Sequence, residues 1–190
     1  DYIPVTLSNY GREVTVSKLP EKVLTLGPNC TELFVALGLG DRVIGRSLVN
    51  HSRGPLPEYA DSVNAIPELN HASATREAIL TSGADFIYAL DWEISDEGCD
   101  PEEAAQYGMT VYINSATTLE EQYQEISDIG RIFGVEDTAS AMNAAFMKGR
   151  TLSDEIAALA SLTKQDADEA LQTMLLRENC AVVHIYPGEA

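Results

Sequence analysis

Apolar and polar positions alternate at the start of the chain. Val5-Thr6-Leu7 and Glu13-Val14-Thr15-Val16 flank Asn9-Tyr10-Gly11, the pattern of a β-hairpin closed by a Gly-containing turn. The next run, Val23-Leu24-Thr25-Leu26, is apolar nearly throughout and reads as a buried strand. It stops at Gly27-Pro28-Asn29. Helical spacing then takes over, with Leu33, Phe34 and Leu37 inward, Asn29 as the expected cap, Glu32 reaching back and Gly38 as the stop.

The unit repeats. Arg42-Val43-Ile44-Gly45 predicts a strand, followed by a long polar loop from Arg46 to Ser73. A helix is expected over Thr75–Ser82 with Ala78 and Ile79 inward, then a strand at Asp85-Phe86-Ile87-Tyr88-Ala89. Asp100-Pro101-Glu102-Glu103 opens a further helix, with Asp as cap, Pro in the first turn and acids at the positive end of the dipole. Thr110-Val111-Tyr112-Ile113 is the fourth core strand. Thr118-Leu119-Glu120-Glu121 is a capping box, and the helix it starts sets Leu119, Tyr123, Ile126, Ile129 and Phe133 on one face. Near-continuously apolar strands separated by amphipathic helices predict an α/β fold: a Rossmann-like parallel sheet with helices on both faces.

From Val135 the period stays helical. Met142, Phe146, Leu152, Ile156 and Leu159 keep one stripe, giving a rod of roughly 35 Å. A second helical stretch is expected at 166–178, and Ala181-Val182-Val183-His184-Ile185-Tyr186 reads as a strand. The expected organisation is an α/β lobe over 1–135, a long helical segment over 136–178, and at 179–190 the first strand of a second lobe that is largely absent.

Charge narrows the function classes. The 190 residues carry 30 Asp and Glu against 12 Lys and Arg, a formal −18, which repels phosphate backbones and argues against nucleic-acid binding. Such a surface keeps a monomer soluble, or docks on a basic partner. Cys30, Cys99 and Cys180 have no metal-like spacing, and their odd number leaves at least one thiol. No apolar run approaches membrane-span length. An opening at Asp1 reads as a processed N terminus.

Ligands of open α/β sheets bind at the carboxyl ends of the strands. Here those ends carry Asn29 and Cys30, then Arg46, Ser47, Asn50 and His51, then Asp91, Trp92 and Glu93, and finally Asn114 and Ser115. Glu68 and His71 lie close in sequence and can border the same crevice. No phosphate loop, GxGxxG or GxSxG elbow is present, so neither a catalytic residue nor a cofactor is assigned. Cys30 at a helix start is either an activated thiol or a small buried residue. His51, Glu68, His71 and Asp91 form a metal site only if their loops converge. Their spacing matches no known ligand pattern, and no metal is assigned. Trp92 is a core residue or a ligand platform. Arg46 and Arg53 are candidate clamps for a carboxylate or catecholate, or ordinary surface ion pairs.

The run from Glu21 to Gly45, with its strand, small-polar turn, Thr31-Glu32-Leu33, and short helix ending in Leu37-Gly38, resembles a known family. It is similar to the opening of the ABC-transporter substrate-binding proteins for iron–siderophores, haem and cobalamin. Arg76 to Leu80, Gly83 to Tyr88, Tyr107 to Tyr112 and the capping-box helix follow in the family's order, so the likeness covers about residues 3–160. The resemblance implies two lobes joined by a long inter-lobe helix, which the rod at about 136–162 fits. It implies capture of a ferric siderophore, haem or cobalamin-type ligand and delivery to a membrane permease, without catalysis. It places the protein outside the cytoplasm, as a cell-surface lipoprotein or in the periplasm. Glu77 is the acidic residue it marks for permease docking; the same residue is also a favoured first-turn acid. A lobe of this kind also occurs in α/β metal-cluster or chelatase-type enzymes, the alternative reading. With half the cleft wall missing, weakened ligand affinity is expected.

Overall fold

The computed structural model describes residues 2–50, 54–94 and 99–161, with the side chains of 149–161 left aside. Asp1–Asn143 forms one compact unit and Ala144–Ala190 a second.

The first unit opens with the expected hairpin, β1 (Val5–Asn9) paired antiparallel to β2 (Arg12–Val16). Tyr10 and Gly11 at its tip both have positive φ (52° and 71°), the type I′ geometry whose twist matches that of the flanking strands. Four further strands follow: β3 (Val23–Leu26), β4 (Val43–Ser47), β5 (Phe86–Leu90) and β6 (Thr110–Asn114). They form one sheet in the order β4-β3-β5-β6, parallel throughout. The helices between them are α1 (Pro28–Ala36), α2 (Ala60–Ala65), α3 (Arg76–Thr81), α4 (Pro101–Gln106), α5 (Leu119–Phe133) and α6 (Glu136–Ser161).

Both faces of the sheet are buried, which is why its strands read as unbroken apolar runs. Val23, Phe86, Tyr88 and Tyr112 face Phe34 of α1 and the Ile126, Ile129, Ile132 and Phe133 stripe of α5, with the apolar side of the hairpin joining them. Leu24, Leu26, Ile87, Ala89, Val111 and Ile113 face the other way, against Ile79 of α3 and Ala104 of α4. The hairpin also closes the β6 edge. Buried Asn9 donates from Nδ2 to the Ile113 carbonyl (2.8 Å) and accepts the Ile113 N–H at Oδ1 (2.7 Å). One side chain thus takes the pairing bonds that a fifth strand would have taken. Close packing fixes the start of α6 as well: a Cβ on Gly130 would lie 2.6 Å from that of Ala139.

Several expectations are corrected. Asn29 is not the cap of α1; Gly27 holds that position with Pro28 at the first turn, and no side chain caps the helix. The expected loop from Arg46 to Ser73 contains α2. Leu119, placed on the inner face of α5, is 47% exposed, because Thr118 is the cap and the stripe begins only after the first turn. The other predicted caps hold: Asp100 accepts the Glu103 N–H (2.7 Å), and Thr118 and Glu121 form the reciprocal box. The second helix at 166–178 and the strand at 181–186 lie outside the described residues.

Candidate functional site

All four parallel strands end at one edge of the sheet, and two buried carboxylates tie their loops together. At the end of β3 the chain turns at Gly27 with φ 138°, where an added Cβ would stand 2.7 Å from the Leu90 side chain. Only glycine fits that turn. It sets Asn29, exposed, beside the end of β6, and the Asn29 Nδ2 donates to Asn114 Oδ1 (2.9 Å).

Asn114 leads down into the first network. Its Nδ2 donates to the Tyr88 hydroxyl (2.9 Å) and to the Glu125 carboxylate. Tyr88 in turn donates to Glu125 Oε2 (3.1 Å), while Oε1 accepts the backbone N–H groups of Ser115 (2.9 Å) and Ala116 (3.0 Å). Glu125 is buried on α5, and four donors compensate its charge. Beside it, Tyr112 donates to Asp128 Oδ2 (2.8 Å) and Gln124 Nε2 donates to Oδ1 (2.9 Å). Burial pushes both phenols well above the usual tyrosine range, so they stay neutral donors.

The second network is sparser. Glu93, 6% exposed just past β5, accepts at Oε2 from the Ser47 hydroxyl (3.0 Å) and the Ala74 N–H (2.8 Å). No donor reaches its buried Oε1 among the described residues. This carboxylate joins the ends of β4 and β5 to the residue before the Thr75 cap of α3. Alongside, residues 67–72 run beside β4 and its continuation. Arg46 N–H donates to the Pro67 carbonyl, Leu69 N–H to Arg46, Leu48 N–H to Ala72 and Asn50 N–H to His71, all between 2.8 and 3.1 Å. Leu48 holds a left-handed backbone (φ 58°), which costs about 1–3 kcal/mol in a non-glycine residue and is found mainly at sites that use it.

The residues expected at the site separate into three groups. Asn29, Asn114, Asp91 and Trp92 come to the edge. Trp92 is 58% exposed, on a short 3-10 turn (Asp91–Glu93) where Asp91 Oδ1 accepts the Trp92 N–H (2.9 Å). Asn50, Glu68 and His71 are exposed on its β4 side, with His71 Nδ1 3.4 Å from Glu68 Oε2. Ser47, Arg46 and Cys30 are spent inside. The Arg46 side chain donates from Nε to the Ile66 carbonyl (3.1 Å) and is buried, so it clamps its own loop instead of a ligand. Cys30 is fully buried, and desolvation, with Glu125 and Glu93 adding to it, raises its thiol well above the ordinary range. An activated nucleophile needs the opposite shift. His51 and Arg53 lie outside the described residues. Glu77 is exposed in the first turn of α3.

Among the described residues, no three His, Cys, Asp or Glu side chains gather as metal ligands. A groove of about 450 Å³ lies elsewhere, lined by Val35, Asp41, Ser62, Ile66 and Pro67. Glu125, Asp128 and the buried role of Glu93 escape the sequence reading. One signal was there for Glu125: it sits one turn before Ile129, on the buried stripe of α5.

The fold that carries this edge has counterparts among known proteins. No family model matches the chain. An uncharacterised ABC transporter substrate-binding lipoprotein of Bacillus subtilis is 27% identical over 144 residues, which cover 75% of this chain and 44% of the relative. A vitamin B12-binding protein of Vibrio parahaemolyticus is 26% identical over 159 residues, covering 83% of this chain and 51% of its own. A periplasmic binding protein from Veillonella parvula superposes with TM-score 0.72 and 25% identity, over 84% of this chain and 54% of that one. The chain is similar to substrate-binding proteins of ABC transporters. An ABC-type Fe3+-hydroxamate transport system structure from Saccharomonospora viridis agrees, with TM-score 0.63 and 25% identity over 77% of this chain and 54% of its own. The chain spans about half the length of the substrate-binding relatives it matches. Among the described residues, no helix is long and apolar enough to cross a membrane.

Proposed function

We propose that this lobe forms one wall of the ligand cleft of an ABC importer's binding protein, which captures an iron–siderophore, haem or cobalamin-type ligand. The observation that carries the reading is the carboxyl edge. There Trp92 stands half exposed beside Asp91 just past β5, and Asn29 and Asn114 are bonded at the ends of the two flanking strands, on an edge whose loops Glu125 and Glu93 anchor. An apolar platform with a few fixed polar groups suits a bulky ligand whose rim is polar. The cysteine that could have acted as a nucleophile is buried, and the family relatives are binding proteins, so the ligand is held without chemical conversion. The protein works outside the cytoplasm as a monomer, and Glu77 meets a cationic group of the permease.

Trp92 is the only Trp of the chain, so its fluorescence reports this edge alone. Titration with cyanocobalamin, haem and a ferric hydroxamate is expected to give saturable quenching by at least one compound, with a raised melting temperature and unchanged ligand on recovery. No saturable response to any of them contradicts capture at this edge. Conversion of the ligand favours a chelatase-type enzyme instead. Glu77→Lys is expected to leave binding intact and lower uptake by cells carrying the permease; unchanged uptake removes Glu77 from docking.

A further inference from the structure

Arg76 and Glu77 are consecutive residues in the first turn of α3, and both are exposed. Arg76 is held. Its guanidinium forms a two-bond fork with Glu103 of α4: Nε donates to Oε2 (2.8 Å) and Nη2 donates to Oε1. The helix starts that present these two charges are themselves fixed. Thr75 caps α3 by accepting the Ala78 N–H (3.2 Å), and its own N–H donates to Asn70 Oδ1 (3.0 Å). Asp100 caps α4 by accepting the N–H of Glu103 itself (2.7 Å), so the backbone of the acid is set before its side chain reaches across. A planar fork between preset partners loses little side-chain freedom on forming.

Stability is a weak reason for this pair. The Arg76 side chain is 55% exposed, and ion pairs at such sites add little to folding. The effect on the neighbouring charge is more direct. Consecutive Cα atoms lie about 3.8 Å apart. A loose Arg76 guanidinium therefore sweeps within the Debye length, about 8 Å at physiological salt, of the Glu77 carboxylate. There it offsets the acid and repels a cation that approaches from outside.

We propose that Glu103 is a positioning residue for docking. It draws Arg76 toward α4 and cancels its charge, so that the first turn of α3 offers the permease the Glu77 carboxylate and not an Arg–Glu couple. The inference rests on the docking role proposed above for Glu77 and adds the residues that keep that acid available. It gives Arg76 and Glu103 opposite effects on docking, which a simple brace between α3 and α4 does not.

The test is the affinity of the full chain, without ligand, for the ABC permease of its own transport system, held in nanodiscs of neutral lipid and read by surface plasmon resonance. Glu103→Ala is expected to weaken docking about three- to tenfold, and the loss is expected to shrink as salt is raised. Arg76→Gln is expected to leave docking unchanged or to strengthen it, and the double variant to return it to within about twofold of the parent. Glu102→Ala, which removes the same charge from the preceding residue without releasing Arg76, is expected to cost less than Glu103→Ala. Circular dichroism and melting temperatures are expected to match the parent throughout. If Arg76→Gln weakens docking as much as Glu103→Ala and the double variant recovers nothing, the pair is a brace and the proposal is overturned. Equal losses from Glu102→Ala and Glu103→Ala reduce the effect to net charge and overturn it as well. Docking unmoved by Glu103→Ala but weakened by Glu77→Gln overturns the proposal and leaves the role of Glu77 standing. Docking unmoved by Glu77→Gln removes that role, and the inference with it.

Discussion

The β6 side and the β4 side of the strand-end edge solve the same problem differently. On each, one buried glutamate anchors the loops that leave the sheet. Glu125 receives four donors, two on each oxygen, and every one is a neutral group of the protein. Glu93 receives two, both on one oxygen, and its other oxygen is buried without a donor among the described residues. A fully satisfied buried charge rigidifies its surroundings, whereas a half-satisfied one costs stability. The β6 side is therefore a finished support. The β4 side, which also holds left-handed Leu48, is the part of the edge built under tension.

The largest effect is expected from Glu125→Ala. Losing the acceptor leaves the Asn114 amide and the Ser115 and Ala116 N–H groups buried or half-buried and unpaired, a cost of about 3–5 kcal/mol in urea unfolding. A loss under about 1 kcal/mol would remove the contrast. Next comes Gly27→Ala, which lies between the two sides and meets both the Leu90 side chain and an unfavourable φ. About 2–3 kcal/mol is expected, read by the same unfolding curve. The matched pair Glu125→Gln and Glu93→Gln sharpens the comparison further. In the first, an amide NH2 must face groups that are themselves donors, for a cost of about 2 kcal/mol. In the second, one oxygen keeps both donors while the NH2 replaces an oxygen that had none, so the change stays within about 1 kcal/mol. Equal costs would show that the two carboxylates do not differ. Thr118→Ala removes only the exposed cap ahead of the β6-side helix and is expected to cost about 1 kcal/mol.

The last effect is absent at neutral pH and appears only in alkaline solution. Burial, with Glu103 and Asp100 adding, raises the Cys99 thiol from 9.0 to about 11. The unfolded chain therefore loses this proton first. The stability that the protonated thiol contributes is whole below about pH 9 and is lost between there and about pH 11. Cys99→Ala is expected to flatten that part of the stability profile; an unchanged decline would assign it to other groups.

Much of the architecture was legible because burial writes itself into period. The apolar runs at 23–26 and 86–89 announce a sheet covered on both faces, and the i, i+3, i+4 stripe of α5 announces its packing face. Caps were legible where the side chain bonds its own helix, as at Asp100 and Thr118. Asn29 misled because its amide found a partner 85 residues away, on Asn114, which no local pattern records. Arg46 misled for the same reason. A basic residue at a strand end suggests a ligand clamp until the loop that folds over it supplies the Ile66 carbonyl. Trp92 could be placed past the strand end from its flanking acids, yet Glu93 beside it turned inward, since a 3-10 turn swings consecutive side chains about a third of a turn apart. Buried carboxylates are the least legible part of the site. Their partners come from four separate segments, and only the fold brings them together.

The claim that binding happens at this edge is tested most directly by hydrogen exchange of backbone amides, with and without the compound that quenches Trp92. The account predicts slower exchange at Leu48 to Asn50 and Asp91 to Trp92, with the Ser115 and Ala116 amides, held by Glu125, already slow in the free protein. Protection confined to the groove around Val35, Ile66 and Pro67, with the strand-end amides unchanged, would contradict it.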